Sequence, residues 1–274
     1  MKIVKLISLL LAMAMLFCAC GNDGQTADVQ QTEPTAPAGA TTAEELTEML
    51  QTGRGVLGAD LDLTAEIQVK NQILDGGGYT ITGPKVQKEE VDGEQKTVAT
   101  TENALTVTGG TVENLTIKGQ YRAIGDRKGA GPTSDVRLKN ITVDGGSSYA
   151  LNFGYANTGV SLFVEDSTLC GWSSYNKFET AMFTNCTFAW SENGQEGGFR
   201  PYVNTTLVGC KFEGKTEADG TVTPFSISFR ESIEGVTLTL EDCYVGDTLI
   251  TQENVSQLLN VKLYSNTIRV QNSN

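Results

Sequence analysis

The sequence predicts an all-β chain wound as a parallel β-helix, three strands to a coil, with a helix over its N-terminal end. Three observations carry this. A short motif recurs as "VENLTIKG", "RLKNITVDG", "FVEDSTLCG", "MFTNCTFAW", "TLVGCKFEG", "TLEDCYVGD" and "KLYSNTIRV". Within each copy, apolar residues alternate on either side of a polar one, which is the period of a strand. The copies return roughly every twenty-five residues, at uneven intervals, as stacked units do when one loop of each varies in length.

The N-terminal residues, 1–19 of "MKIVKLISLLLAMAMLFCAC", read as a secretion signal: Lys2 and Lys5, an apolar run from Leu6, then small residues and cysteine. The run is short and wrongly flanked for a stable membrane span. "LFCAC" before Gly21 resembles the bacterial lipobox, in which a cysteine preceded by a small residue, here Ala19, becomes the lipidated new N-terminus. That resemblance makes Cys20 the lipidated residue, with Cys18 as the competing choice. An ordinary signal peptide or a buried helix is the plainer alternative. Lipidation implies export and a bacterial membrane anchor, with the domain held outside the cytoplasm.

Residues 20–41 are small and polar, with three acids and no base after Cys20, and cannot bury enough apolar surface to order. They are a tether. In "TTAEELTEMLQTG", Thr42 stands as N-cap with Glu45 three residues on, Leu46, Met49 and Leu50 share a face, and Gly53 stops the helix. The segment 42–54 is therefore a capping helix that covers strand edges at the end of the tube.

Residues 55–274 form the β-helix. The polar residue at the centre of each motif reads Asn114, Asn140, Asp166, Asn185, Gly209, Asp242 and Ser265. Two before it stand Val112, Leu138, Val164, Phe183, Leu207, Leu240 and Leu263. Three after it stand Ile117, Val143, Leu169, Phe188, Phe212, Val245 and Ile268. A further column, one strand earlier, is expected at Ile124, Phe153, Phe178, Phe199 and Phe229. Leucine-rich repeats have similar periods but need a helical stripe in each unit, and none is present. Three strands per coil, an asparagine ladder at a tight bend and "ILDGGGYTITG" resemble the right-handed parallel β-helix of the pectin-lyase-like superfamily, from about Gly55 to Arg269. Val255, Leu258 and Leu259 suggest a short helical turn near the far end, and "KVQKEEVDGEQKTVATTEN" a charged hairpin-like insertion.

The bend column also bears on two other patterns. Asn114, Asn140, Asn185 and Asn204 begin N-x-T sequons, but three of them fall at the bend, where a ladder explains them. Cys186, Cys210 and Cys243 share an inward column beside Leu115 and Ile141, so they read as small buried side chains, with a disulfide between neighbouring coils as the alternative. There is no histidine, and the cysteines lack the carboxylate neighbours of a metal site.

A formal charge of −13, or −15 once Lys2 and Lys5 leave with the signal, argues against nucleic acid and against electrostatic attachment to anionic lipid. Against that balance, the positions flanking the aromatic column bring Lys177, Glu179, Arg200 and Arg230 to one face. Stacked arginines repel unless compensated, by Glu179 or by a bound anion, and guanidinium forks suit carboxylates. Trp172, Tyr175 and Trp190 come from loops beside the same face and offer rings to sugars. The plainer reading is a solvated charge network with loop tryptophans covering the sheet.

In the superfamily resembled, the saccharide cleft runs along that sheet. The resemblance implies an acidic polysaccharide as ligand and, if the chain is a lyase, Arg200, Arg230 or Lys177 as base with calcium held by carboxylates. No aspartate group accompanies them, "FRPYVN" departs from the lyase arginine element, and hydrolases of the fold use clustered aspartates where this face offers one glutamate. The expectation is a monomeric, membrane-tethered, glycan-binding β-helix with no cofactor. A polysaccharide lyase or hydrolase, and a structural or adhesive protein, are the alternatives.

Overall fold

The computed structural model describes residues 39–85, 88–91, 94–97, 103–192 and 197–273; the signal, Cys20 and nearly all of the tether lie outside them. The described chain is an all-β parallel solenoid with a short helix at its N-terminal end. Three walls of in-register parallel strands run its length. In the second wall the inward column passes through Leu74, Val112, Leu138, Val164, Phe183, Leu207 and Leu240. In the third it passes through Leu61, Ile81, Ile117, Val143, Leu169, Phe188, Phe212 and Val245.

Between these walls the chain turns through a left-handed residue in each coil. Asn114, Asn140, Asp166, Asn185, Gly209 and Asp242 all have φ between 49° and 62°. A β-carbon is strained in that region, and Asn, Asp and Gly bear it best. The side chains then bond between coils: Asn140 donates to Asn114 at 2.8 Å, Asn114 to Asp75 at 3.1 Å, and Asn185 to Asp166 at 3.2 Å. Beside the bend, Cys186, Cys210 and Cys243 are fully buried and unpaired, each thiol donating to a carbonyl of its own coil and one of the preceding coil. Hydrogen bonds to Cys186 and Cys243, then burial, push the Cys210 thiol far up.

The core is aromatic in its second half. Phe188 stacks on Phe212 at 5.3 Å and meets Phe199 edge-on at 5.0 Å, while Phe183 meets Phe199 at 5.4 Å. Both ends of the tube are covered. Helix α1 (Ala43–Gln51) carries a complete capping box between Thr42 and Glu45, buries Leu46 and Leu50, and ends at Gly53 with φ 104°. At the far end, helix α2 (Val255–Leu258) and the loop before it fold over the last coil. There the Gln252 amide donates to the Ile268 carbonyl at 3.4 Å and accepts from the Val270 N–H at 3.0 Å. One side chain thus takes the place of a further strand on an otherwise open edge. The charged insertion contains an antiparallel hairpin, Lys88–Val91 with Glu94–Thr97.

Two sequence expectations need correction. The last motif copy does not repeat the bend: Leu240 pairs with Val270 and Leu238 with Ile268, so Ile268 belongs to the second wall. Leu263 is exposed, and the left-handed residue there is Tyr264, not Ser265. The first-wall column is also different. It runs through Ile67, Leu105, Ile124, Leu151, Ser173, Phe199, Ile227 and Val261. Ile124 and Phe199 stand as expected. Phe153 and Phe229 point inward two residues further along, and Phe178 lies past the strand, buried edge-on against Phe153 at 5.5 Å.

Candidate functional site

Arg200 follows Phe199 on the strand Gly198–Pro201, so alternation turns it outward while Phe199 fills the core. The previous coil sets its position. Trp172 pairs with Gly198, and its indole lies where a β-carbon on Gly198 would come within 2.5 Å of the ring. Only glycine leaves room for it. The Arg200 guanidinium rests on that indole, 4.3 Å from its centre, and Nη1 donates to the Tyr149 phenol at 3.4 Å. Arg200 Nε is buried with no partner among the described residues. On the other side of Tyr149, Arg122 packs against the rings of Tyr121 and Tyr149, and its Nε is likewise buried and unpartnered.

Phe199 pairs with Ile227, which puts Ser228 beside Arg200, and Ser228 pairs in turn with Lys262. Arg230 lies past the end of that strand, where its Nε donates to the Tyr202 phenol at 3.0 Å. That hydrogen bond raises its already high pKa. Arg200, Ser228, Arg230, Glu231, Lys262 and Tyr264 all line one open cavity of about 630 Å³.

Several cations elsewhere are paired with carboxylates, although Lys118, Lys128, Lys177, Lys211 and Arg269 have no such partner among the described residues. Arg54 meets Asp75 at 2.7 Å, Arg127 meets Glu66 at 2.6 Å, and Lys215 meets Glu217 at 2.9 Å. Among the described residues, Arg122, Arg200, Arg230 and Lys262 have no carboxylate within ion-pair distance. The three arginines are held by rings and phenols, which fix a guanidinium without neutralising it.

The structure separates the other expected residues. Ser173 occupies the inward column and Tyr175 points into the core, so the chain after Tyr175 has left the wall. Lys177, with φ 65°, and the exposed Glu179 therefore sit in a turn tied to the coil before, through the Asn176 N–H to the Phe153 carbonyl and the Glu179 N–H to the Val160 carbonyl, both 2.8 Å. Glu179 does not compensate Arg200. Tyr175 is fully buried against Phe183 and Phe199, with its hydroxyl 2.8 Å from that of Thr205, and is not a groove residue. Trp190 packs on the core with Lys215 5.7 Å from its ring, apart from the cavity. Of the seven expected wall residues, Trp172, Arg200 and Arg230 come together.

Lys177 joins a different place, 5.9 Å over the Tyr155 ring and near Asp126. Asp126 is buried and accepts the N–H groups of Gly154 at 2.8 Å and Tyr155 at 2.7 Å. Burial raises its pKa despite those bonds and Lys177. Arg122, Asp126, Arg127, Lys128, Asn152 and Tyr155 line a second cavity of about 390 Å³ on the same wall. Among the described residues, no group of three His, Cys, Asp or Glu side chains is placed to hold a metal ion.

Sequence reasoning missed Tyr149, Tyr202, Lys262 and Tyr264. "KLYSN" was available as a signal, but assigned to the wrong wall it gave Lys262 no place on the wall that carries Arg200. No protein-family model, no curated protein and no solved structure matches the chain.

Proposed function

We propose that the chain is a β-helix lipoprotein, anchored to a bacterial membrane through Cys20, that binds an acidic polysaccharide along its first wall. One observation carries the binding reading: in a chain of formal charge −13, four cations on one wall lack carboxylate partners, and three of them rest on aromatic rings or phenols. An anion is the missing counter-charge. From Arg122 to Lys262 the wall crosses five rungs, about 24 Å at the usual strand spacing. That length suits an extended polymer better than a small metabolite. Tyr202 and Tyr264 add ring surface on which sugars pack. The resemblance to the pectin-lyase-like superfamily supports a saccharide on this sheet.

The test is a calorimetric titration of the full chain with acidic and neutral oligosaccharides of equal length. Acidic oligomers are expected to bind with an affinity that falls as salt rises, and Arg200→Ala to abolish most of it, while Glu179→Gln leaves it unchanged. Absence of heat across the acidic panel, or equal binding of neutral oligomers, removes the reading.

A further inference from the structure

Resting on that reading, we infer that the acid recognised in the Arg200 cavity is a tetrahedral oxyanion, a phosphate or sulfate ester on the glycan, rather than the planar carboxylate of a uronic acid. The number and placement of donors distinguish the two. A carboxylate offers two oxygens in one plane, and one guanidinium fork satisfies it. This cavity brings far more. Arg200 and Lys262 reach it from strands two rungs apart, with Ser228 on the rung between, and Arg230 approaches from the turn beyond. Ser228, Ser232 and Tyr264 add hydroxyls. Two guanidiniums, an ammonium and three hydroxyls exceed what two coplanar oxygens accept. They suit three or four oxygens spread in space.

Charge points the same way. Three cations against the single carboxylate of Glu231 leave a surplus of two positive charges around the cavity. A uronate or a sulfate monoester cancels one of them, whereas a phosphate monoester carries close to two negative charges at neutral pH, so the charge count favours phosphate of the two esters. The cations also stand on different coils, on both sides of Ser228.

The experiment is a set of parallel titrations of the full chain with hexasaccharides matched in length: hexagalacturonate, a sulfated hexasaccharide and a phosphorylated hexasaccharide. At least one of the two esters is expected to bind about tenfold or more tightly than hexagalacturonate, the worth of one extra charge-assisted hydrogen bond. The stronger ester identifies the source. Ser228→Ala is expected to weaken the ester and leave the uronate unchanged, a difference that misfolding would not produce. Hexagalacturonate binding as tightly as both esters overturns this inference and leaves the acidic-glycan reading intact. Failure of all three to bind overturns both.

Discussion

The bend and the first wall are held in register by different forces. At the bend, six successive coils place a residue at φ between 49° and 62°, a conformation that favours Asn, Asp or Gly. On the first wall the inward column runs Leu105, Ile124, Leu151, Ser173, Phe199 and Ile227, residues of very different size. Their neighbours make up the volume. Tyr175, for example, lies on the same strand as Ser173 and packs against both Phe183 and Phe199. A register fixed by backbone conformation tolerates little change in its own residues and so can keep the coils aligned. A wall fixed by packing is free to change its outward residues, and the unpaired cations are found there.

The largest effect that would sharpen this contrast is in the core. Phe188→Ala removes a ring packed on Phe183, Phe199, Phe212 and Phe225, and is expected to cost about 3–5 kcal/mol in urea unfolding. Ser173→Ala, in the first-wall column, is expected to be neutral or stabilising, because its buried hydroxyl has no partner among the described residues. A large loss there would mean that the column depends on that hydroxyl.

Next comes the bend. Asn140→Ala places a β-branch-free but amide-less residue at φ 49° and breaks the bond to Asn114, an expected loss of about 2 kcal/mol. Asn140→Gly keeps the backbone free of strain and is expected to lose less than half as much. Equal losses would show that the amide ladder, not the left-handed backbone, sets the register.

The smallest effect is a difference in pH response. At the bend, burial pushes the Asp75 carboxyl up, but the Gly77 N–H, the Asn114 amide and Arg54 outweigh it and hold the group below 3.8. Its stabilisation is present above that value and lost as pH falls through the lowered one. On the wall, burial holds Asp126 above 3.8, so its contribution is full below 3.8 and lost as pH rises through the raised value. Urea midpoints between about pH 3 and about pH 6 should therefore show the gap between wild type and Asp75→Asn widening with pH, and the gap to Asp126→Asn shrinking. Gaps that move together would contradict the assignment.

The legibility of these regions in the sequence follows from the same contrast. A one-residue slip turns a strand inside out, whereas a two-residue slip returns the same face. Leu151 and Phe153 both point inward, as do Ile227 and Phe229, so alternation alone does not choose between them. The bend has an independent marker in Asn, Asp or Gly, and six of its seven expected positions hold. At Ser265 the pattern "LYSNTI" imitates the motif, but its turn has Tyr264 as the left-handed residue and joins the first wall to the second. The first wall has no such marker, which is why Lys177, Glu179 and Tyr175 were grouped with Arg200. Trp172 and Arg200 were legible as residue types but not as a stacked pair, since that contact depends on Gly198 leaving the space.

The register of the first wall is the claim on which the cavity rests, and disulfide trapping measures it directly. Parallel neighbours lie close enough for a disulfide, with Cα atoms about 5 Å apart. The double variant Arg200→Cys with Ser228→Cys is expected to cross-link under mild oxidation, while Arg200→Cys with Arg230→Cys stays reduced. Efficient cross-linking of the second pair and none of the first would put Arg230 on the rung beside Arg200 and dismantle the cavity described above.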